Sequence, residues 1–274
     1  MKQRIITGVS MISAVFVLLV FGGILAASVA ALVVGLSLYE EFKALKTAGH
    51  HPVEWPAWAV TVIAAPCVYL WGNMMPLLML LCVIAAIAVV GTVVFRKGPK
   101  VEDIVYSILP VLTITLPGLF MIEQTNFAAN YLGRMYLSLL LFVPILGDTF
   151  AYFVGSKLRG PKLCPEVSPN KTISGAVGGL LGSVIAAMAI YGITIAASGT
   201  QGVPTWWMML LLGLVGGVAA QIGDLFHSLL KRHCGIKDFS NMFPGHGGML
   251  DRMDSILFGS VVVYLFHMLV TMGV

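Results

Sequence analysis

The sequence predicts an all-α fold, a polytopic membrane helix bundle of about nine transmembrane helices. Three observations predict it. The 274 residues are 58% hydrophobic and only 10% charged, with a mean hydropathy of +0.95, a composition foreign to soluble domains. The apolar residues fall into runs close to the roughly 20 that a helix needs to cross a bilayer. The basic residues gather in alternate breaks between those runs, as the positive-inside rule requires. Little length is left for a soluble domain.

Ile5–Phe21 is the first run. It follows Met1-Lys2-Gln3-Arg4, and apolar character continues past Ala26-Ala27 to Leu38, so it reads as a retained anchor and not a cleaved signal. Gly22-Gly23 offers a break before the second run, Ile24–Phe42, and one long tilted helix is the alternative. Lys43–Pro56 is polar; its His50 and His51 read as solvated side chains. Ala57–Trp71, short for a span, and Pro76–Phe95 follow, hinged at Gly72-Asn73. Ile104–Ile122 contains Pro110 and Pro117, which lack amide protons and predict kinks. Leu132–Lys157, Ile173–Ala197, Pro204–Leu230 and Ile256–Met272 complete the nine. Gly175, Gly178, Gly179 and Gly182 predict close helix packing, and Trp206-Trp207 predicts an interface.

With the N-terminus inside, every Lys and Arg except Arg134 lies on the cytoplasmic side. The pI of about 8.9 then follows from orientation. No basic stretch interleaved with aromatics suggests nucleic acid. Cys67, Cys82, Cys164 and Cys234 form no CxxC pair or disulfide framework, and the spacing of His227, His233 and Cys234 fits no usual zinc pattern.

Two carboxylates sit inside apolar runs, Asp148 after Gly147 and Asp224 after Gly223. An aspartate near a helix centre costs about 2.5–3.5 kcal/mol on insertion scales, so such a residue usually faces the bundle interior and marks a functional path. A purely structural interhelical pair is the alternative. The glycine before each permits close approach of a neighbour or a ligand.

The polar stretch Ser228–Asp254 mixes both signs of charge around Pro244-Gly245-His246-Gly247-Gly248. Asp251 and Asp254, three apart, share a helical face. Paired carboxylates suit a hard divalent cation such as Mg²⁺. Lys231, Arg232, Lys237 and Arg252 offer counter-charge for phosphates, and glycines let backbone N–H groups approach phosphate oxygens. A solvated interhelical loop is the plain alternative.

This stretch resembles the signature of the phosphatidate cytidylyltransferase (CDP-diacylglycerol synthase) family: S-x-x-K-R-x4-K-D, then P-x-H-G-G-x-x-D-R-x-D. Ser228, Lys231, Arg232, Lys237, Asp238, Pro244, His246, Gly247, Gly248, Asp251, Arg252 and Asp254 all stand at its fixed positions, with Ser240 and Phe243 between. The family's G-D-x-x-A-Y-x-x-G segment is met by Gly147, Asp148, Ala151, Tyr152 and Gly155. Its S-P-K-K-T-W-E-G segment is met at Ser168, Pro169, Lys171, Thr172 and Gly175. Ile173-Ser174 replaces the usual Trp-Glu, and His227 stands where an acidic residue is common. The specific likeness covers about the C-terminal half.

The resemblance implies one integral-membrane domain over 1–274, with N-terminal spans in 1–130 and a catalytic half in 131–274. It implies that CTP and phosphatidate react to CDP-diacylglycerol and pyrophosphate. Asp148, Asp224, Asp251 and Asp254 are then metal ligands for Mg²⁺, as one ion or two. Asp224, Asp251, Asp254 and His246 are the catalytic candidates. His246 either donates to a phosphate oxygen or fixes the Gly-Gly turn. Ser168, Lys171, Thr172, Lys231, Arg232, Lys237, Gly247, Gly248 and Arg252 are the substrate-binding candidates. The loops Lys157–Thr172 and Lys231–Asp251 are expected to face the cytoplasm and to meet at one site. A bacterial plasma membrane is the expected location and a homodimer a candidate assembly. A CTP-dependent lipid or polyprenol kinase and a transporter with intramembrane carboxylates are the competing readings. A CDP-alcohol phosphotransferase is disfavoured, because its Asp-Gly-x-x-Ala-Arg motif is absent.

Overall fold

The computed structural model describes residues 23–71, 75–126, 131–243, 245 and 247–272. The run Ile5–Phe21, the hinge Gly72-Asn73, Pro244 and His246 lie outside them. The described helices are α1 (Gly23–Thr47), α2 (Trp55–Trp71), α3 (Met75–Val94), α4 (Val101–Pro110), α5 (Leu116–Asn126), α6 (Tyr131–Leu158), α7 (Ile173–Ser198), α8 (Trp206–His233) and α9 (Leu250–Thr271). The expected spans within the described residues fall on helical structure, with Ile104–Ile122 divided between α4, a π-helical turn and α5. Six helical stretches among them are long and apolar enough to cross a membrane, and α2 and α3 are shorter apolar helices. The protein is a multi-pass, all-α membrane bundle.

The chain divides into two compact units. The first comprises residues 1–126 and 231–253, the second 127–230 and 254–274. The segment 231–253 thus groups with residues 1–126.

In the first unit, Leu38, Phe42 and Leu45 of α1 and Leu119 and Ile122 of α5 are fully buried. Gly118 lies against Val34, where a Cβ would come within 2.3 Å of a valine methyl. Pro110 and Pro117 flank a change in helical winding between α4 and α5. Between them, Val111–Thr115 winds as a π-helical turn, which absorbs the hydrogen bonds that two missing amide protons leave open.

In the second unit, α6 and α7 run antiparallel along a glycine seam. A Cβ on Gly175 would lie 2.9 Å from the Ala151 carbonyl, and one on Gly182 would lie 2.6 Å from the Phe150 Cβ. The packing expected of these glycines is what they do: with no side chain between them, two backbones approach directly. The Ser183 hydroxyl donates to the Val143 carbonyl at 3.0 Å. Tyr136, Leu139, Val143, Ile190, Met209, Leu212 and Val263 fill the core between α6, α7, α8 and α9.

The segment between α6 and α7 is not an irregular loop. β1 (Lys162–Cys164) pairs antiparallel with β2 (Ser168–Thr172), with Lys162 opposite Thr172 and Cys164 opposite Ser168. Thr172 ends the hairpin and caps α7, its hydroxyl accepting the Gly175 N–H at 3.1 Å. This satisfies one of the free amide groups at the helix start.

Candidate active site

Two constellations hold the predicted residues, one in each unit. In the second unit, a cleft of about 750 Å³ opens between α6, the hairpin, α7 and α8; Asp148, Arg159, Lys162, Asn170, Lys171 and Asp224 all line it. The Lys171 ammonium is paired with Asp224 Oδ2. The Ser228 hydroxyl lies 3.4 Å from Asp224 Oδ1. Asp224 is 25% exposed, so its charge meets both its lysine and the cleft.

Asp148 and Asp254 converge on one hydroxyl. Ser255 Oγ is 2.9 Å from Asp148 Oδ2 and 3.2 Å from Asp254 Oδ1. The Ser255 N–H also donates to Asp254 Oδ1 at 2.8 Å. Gly147 and Gly223, the residues before the two intramembrane aspartates, are explained by neighbouring elements. A Cβ on Gly147 would lie 2.5 Å from Ser183 Oγ, and one on Gly223 would lie 2.5 Å from the Asp254 carbonyl. His227 is fully buried, and its Nδ1 donates to the Gly223 carbonyl at 3.0 Å.

Thr172 lines the cleft but has its hydroxyl occupied by the α7 cap. Ser168 lies in β2, opposite Cys164. Arg159 adopts φ = 54°, the only described non-glycine residue in the left-handed region. The Ser174 hydroxyl donates to its carbonyl. The serine that replaces the family's glutamate therefore fastens the hairpin entrance.

In the first unit, Asp251 Oδ1 accepts from Lys231 Nζ at 2.7 Å, and Oδ2 accepts the N–H groups of Phe239 and Gly248, each at 2.9 Å. Lys231 and Asp251 side chains are 11% and 3% exposed. Such a pair is held by geometry and by the extra amide bonds, which offset desolvation. Gly247 exchanges backbone hydrogen bonds with Phe243, 3.1 Å from its N–H and 2.9 Å from its carbonyl. The amides of Gly247 and Gly248, expected to meet phosphate, are thus engaged inside the loop. Lys237, Arg232 and Arg252 are exposed. His233 stacks near Tyr106 and His50, with Nε2 2.6 Å from the Tyr106 hydroxyl and 3.0 Å from His50 Nε2.

Four carboxylates were expected to share metal. Among the described residues, no three His, Cys, Asp or Glu side chains are placed to hold an ion together. Asp224 is paired with Lys171, and Asp251 with Lys231. Asp148 and Asp254, sharing a hydroxyl, fit Mg²⁺ better. That ion is commonly held by one or two carboxylates, with waters and substrate phosphates completing its shell.

Three participants escape the sequence reading. Ser255 and Arg159 carry no signal beyond adjacency to a motif. Glu40 does carry one. It is a carboxylate at the end of an apolar run, 2% exposed, and the cost argument applied to Asp148 and Asp224 applies to it too.

The chain is similar to proteins called phosphatidate cytidylyltransferase. That of Brucella abortus is 44% identical over 119 residues, 43% of this chain and 42% of the relative. That of Bacillus subtilis is 35% identical over 191 residues, 62% of this chain and 68% of the relative. That of Staphylococcus aureus is 34% identical over 168 residues, 61% and 60%. The chain thus spans less than half the length of the Brucella relative. The model of the cytidylyltransferase family, by contrast, matches residues 2–270. A match of that extent takes in the apolar N-terminal spans as well as the motifs: the chain belongs to the cytidylyltransferase family.

Proposed function

We propose that the chain is a phosphatidate cytidylyltransferase, joining CTP to phosphatidate to form CDP-diacylglycerol and pyrophosphate. The observation that carries this reading is the cleft of the second unit. Asp148, Lys171 and Asp224 line one opening of about 750 Å³, the two aspartates from within long, mostly apolar helices and the lysine from β2. A water-soluble nucleotide and a lipid need a site of that kind, with charged side chains set in a largely apolar lining between membrane helices. The names of the relatives support the same reading.

A phosphate oxygen of phosphatidate attacks the α-phosphorus of CTP. The bond to the β-phosphate breaks, and its electron pair leaves with pyrophosphate. The attacking oxygen is ionised at neutral pH, so no strong base is needed and catalysis is mostly orientation and charge neutralisation. Lys171 supplies positive charge in the cleft, and its pairing with Asp224 holds the ammonium in place. Arg159 and Lys162, on the hairpin side, add charge for the departing phosphates. Asp148 and Asp254 would hold Mg²⁺, which when bound neutralises triphosphate charge and orients it. CTP is a cytosolic substrate, so the cleft belongs on the cytoplasmic side of a bacterial plasma membrane, with the basic loops.

The test uses the full chain in mixed micelles with phosphatidate, Mg²⁺ and CTP labelled at the α- or the γ-phosphate. The expected result is α-label in CDP-diacylglycerol with equimolar pyrophosphate. Transfer of γ-label to lipid with release of CDP would mark a kinase instead, and no covalent product would leave the transporter reading.

A further inference from the structure

We propose that Glu40 is a positioning residue of this enzyme, a clamp on the polar loop that leads into α9. Its catalytic consequence rests on the function proposed above. Glu40 lies near the end of α1, between the fully buried Leu38 and Phe42, and is itself 2% exposed. An ionised carboxylate there needs strong compensation. It finds it in a segment 200 residues away. Oε1 accepts from the Ser240 hydroxyl at 2.5 Å and from the Met249 N–H at 3.0 Å, and Oε2 accepts from the Leu250 N–H at 2.8 Å.

The start of any helix leaves amide groups without intrahelical acceptors. Three amides leading into α9 are met by carboxylates. Asp251 takes the Gly248 N–H from within the helix, and Glu40 takes the next two from outside. The positive end of the helix dipole adds to the stabilisation of both charges. Gly248 completes the fit. A Cβ there would lie 2.5 Å from Glu40 Oε2, inside contact distance, so the glycine makes room for the carboxylate.

Two members of the loop pattern, Ser240 and Gly248, thereby have a shared explanation: both are shaped to Glu40. The clamp grips the loop at both ends, Ser240 and Leu250. The same segment carries His246 and leads into Asp251 and Arg252. Removing the carboxylate frees two amides at the root of α9 and releases the loop that bears these residues. Misplacement of reacting groups by about 1 Å costs on the order of a hundredfold in rate.

The experiment compares Glu40→Gln, Glu40→Asp and Ser240→Ala in the full chain, by hydrogen exchange and by steady-state kinetics with CTP and phosphatidate. In Glu40→Gln, amide exchange is expected to rise in residues 239–252 and to stay at the wild-type level in α6 and α7. The kcat is expected to fall about 10- to 100-fold, with a smaller change in either KM. Glu40→Asp should recover part of both, and Ser240→Ala should show a weaker form of both. Wild-type exchange over 239–252, or wild-type kcat in a folded Glu40→Gln, overturns the clamp. So does a rise in exchange throughout both units in all three variants, which marks a residue needed only for folding. If the wild-type chain makes no CDP-diacylglycerol, the proposed function fails on its own, and the exchange arm still decides whether Glu40 holds the loop.

Discussion

Asp251 and Asp224 look alike in sequence, each an aspartate near a lysine-rich loop, yet their surroundings differ. Asp251 and Lys231 are almost wholly buried, and the carboxylate also accepts two backbone amides. Asp251→Asn leaves a buried ammonium facing a neutral group, at a cost of about 3–5 kcal/mol. We expect both activity and the thermal midpoint in detergent to drop. Asp224 is a quarter exposed and lines the cleft, so Asp224→Asn should lose turnover with a much smaller shift in melting. Equal melting shifts in the two variants would overturn this assignment. Ser174 gives a second contrast. Glutamate at this position suits the first turn of α7 electrostatically, but Ser174→Glu removes the hydroxyl that fastens Arg159. One hydrogen bond of about 1 kcal/mol corresponds to roughly a fivefold loss, so kcat/KM for CTP should fall and not rise. Recovery of a family residue that raised the rate would show that the Arg159 contact is idle.

At the scale of elements, the helices were legible because an apolar run of fixed length has few other fates in lipid. The glycine seam was legible too, and its energetics can be tested. A Cβ on Gly178 would meet three side-chain atoms of Val154 at 2.5–2.8 Å. Gly178→Ala therefore overpacks α6 against α7, and the expected loss is about 1–3 kcal/mol, read as a lower thermal midpoint of the second unit. The open glycine Gly192, with nothing within 4 Å of its Cβ position, is the control: Gly192→Ala should leave the midpoint unchanged or raise it. The hairpin Lys162–Thr172 was not legible. Its strands are short, and Pro169 and Asn170 argue against strand on propensity alone. Pairing to each other and the cap on α7 decide it. The π-helical turn at Val111–Thr115 was half legible, since two prolines announce a disturbance but not its form.

At the scale of the whole molecule, linear order misled in one respect. The motif residues 231–253 lie late in the sequence, but they group with residues 1–126. Ser240, Met249 and Leu250 bond to Glu40 of α1, and no pattern within the motif names a partner 200 residues distant. The candidate residues could be named from the motif, because a motif match does not depend on contacts. Their roles were not legible, because whether a carboxylate holds an ion or a lysine depends on neighbours. Orientation remains the most useful property of the whole chain to measure, and two native cysteines report it. With Cys67 and Cys82 replaced by Ala, an impermeant maleimide should label neither remaining thiol in sealed right-side-out vesicles. After the vesicles are opened, the two should differ. Cys164 is half-buried in β1, and Cys234 is buried after α8. Burial, and next the carboxylate of Glu41, push the Cys234 thiol pKa above its ordinary value. The thiolate is the nucleophile, so a raised pKa leaves less of it at a given pH. Cys234 should therefore label later than Cys164 at neutral pH and gain on it as the pH rises through the ordinary thiol range and beyond. Prompt labelling of either residue before opening would reverse the proposed orientation and move the cleft to the side without CTP.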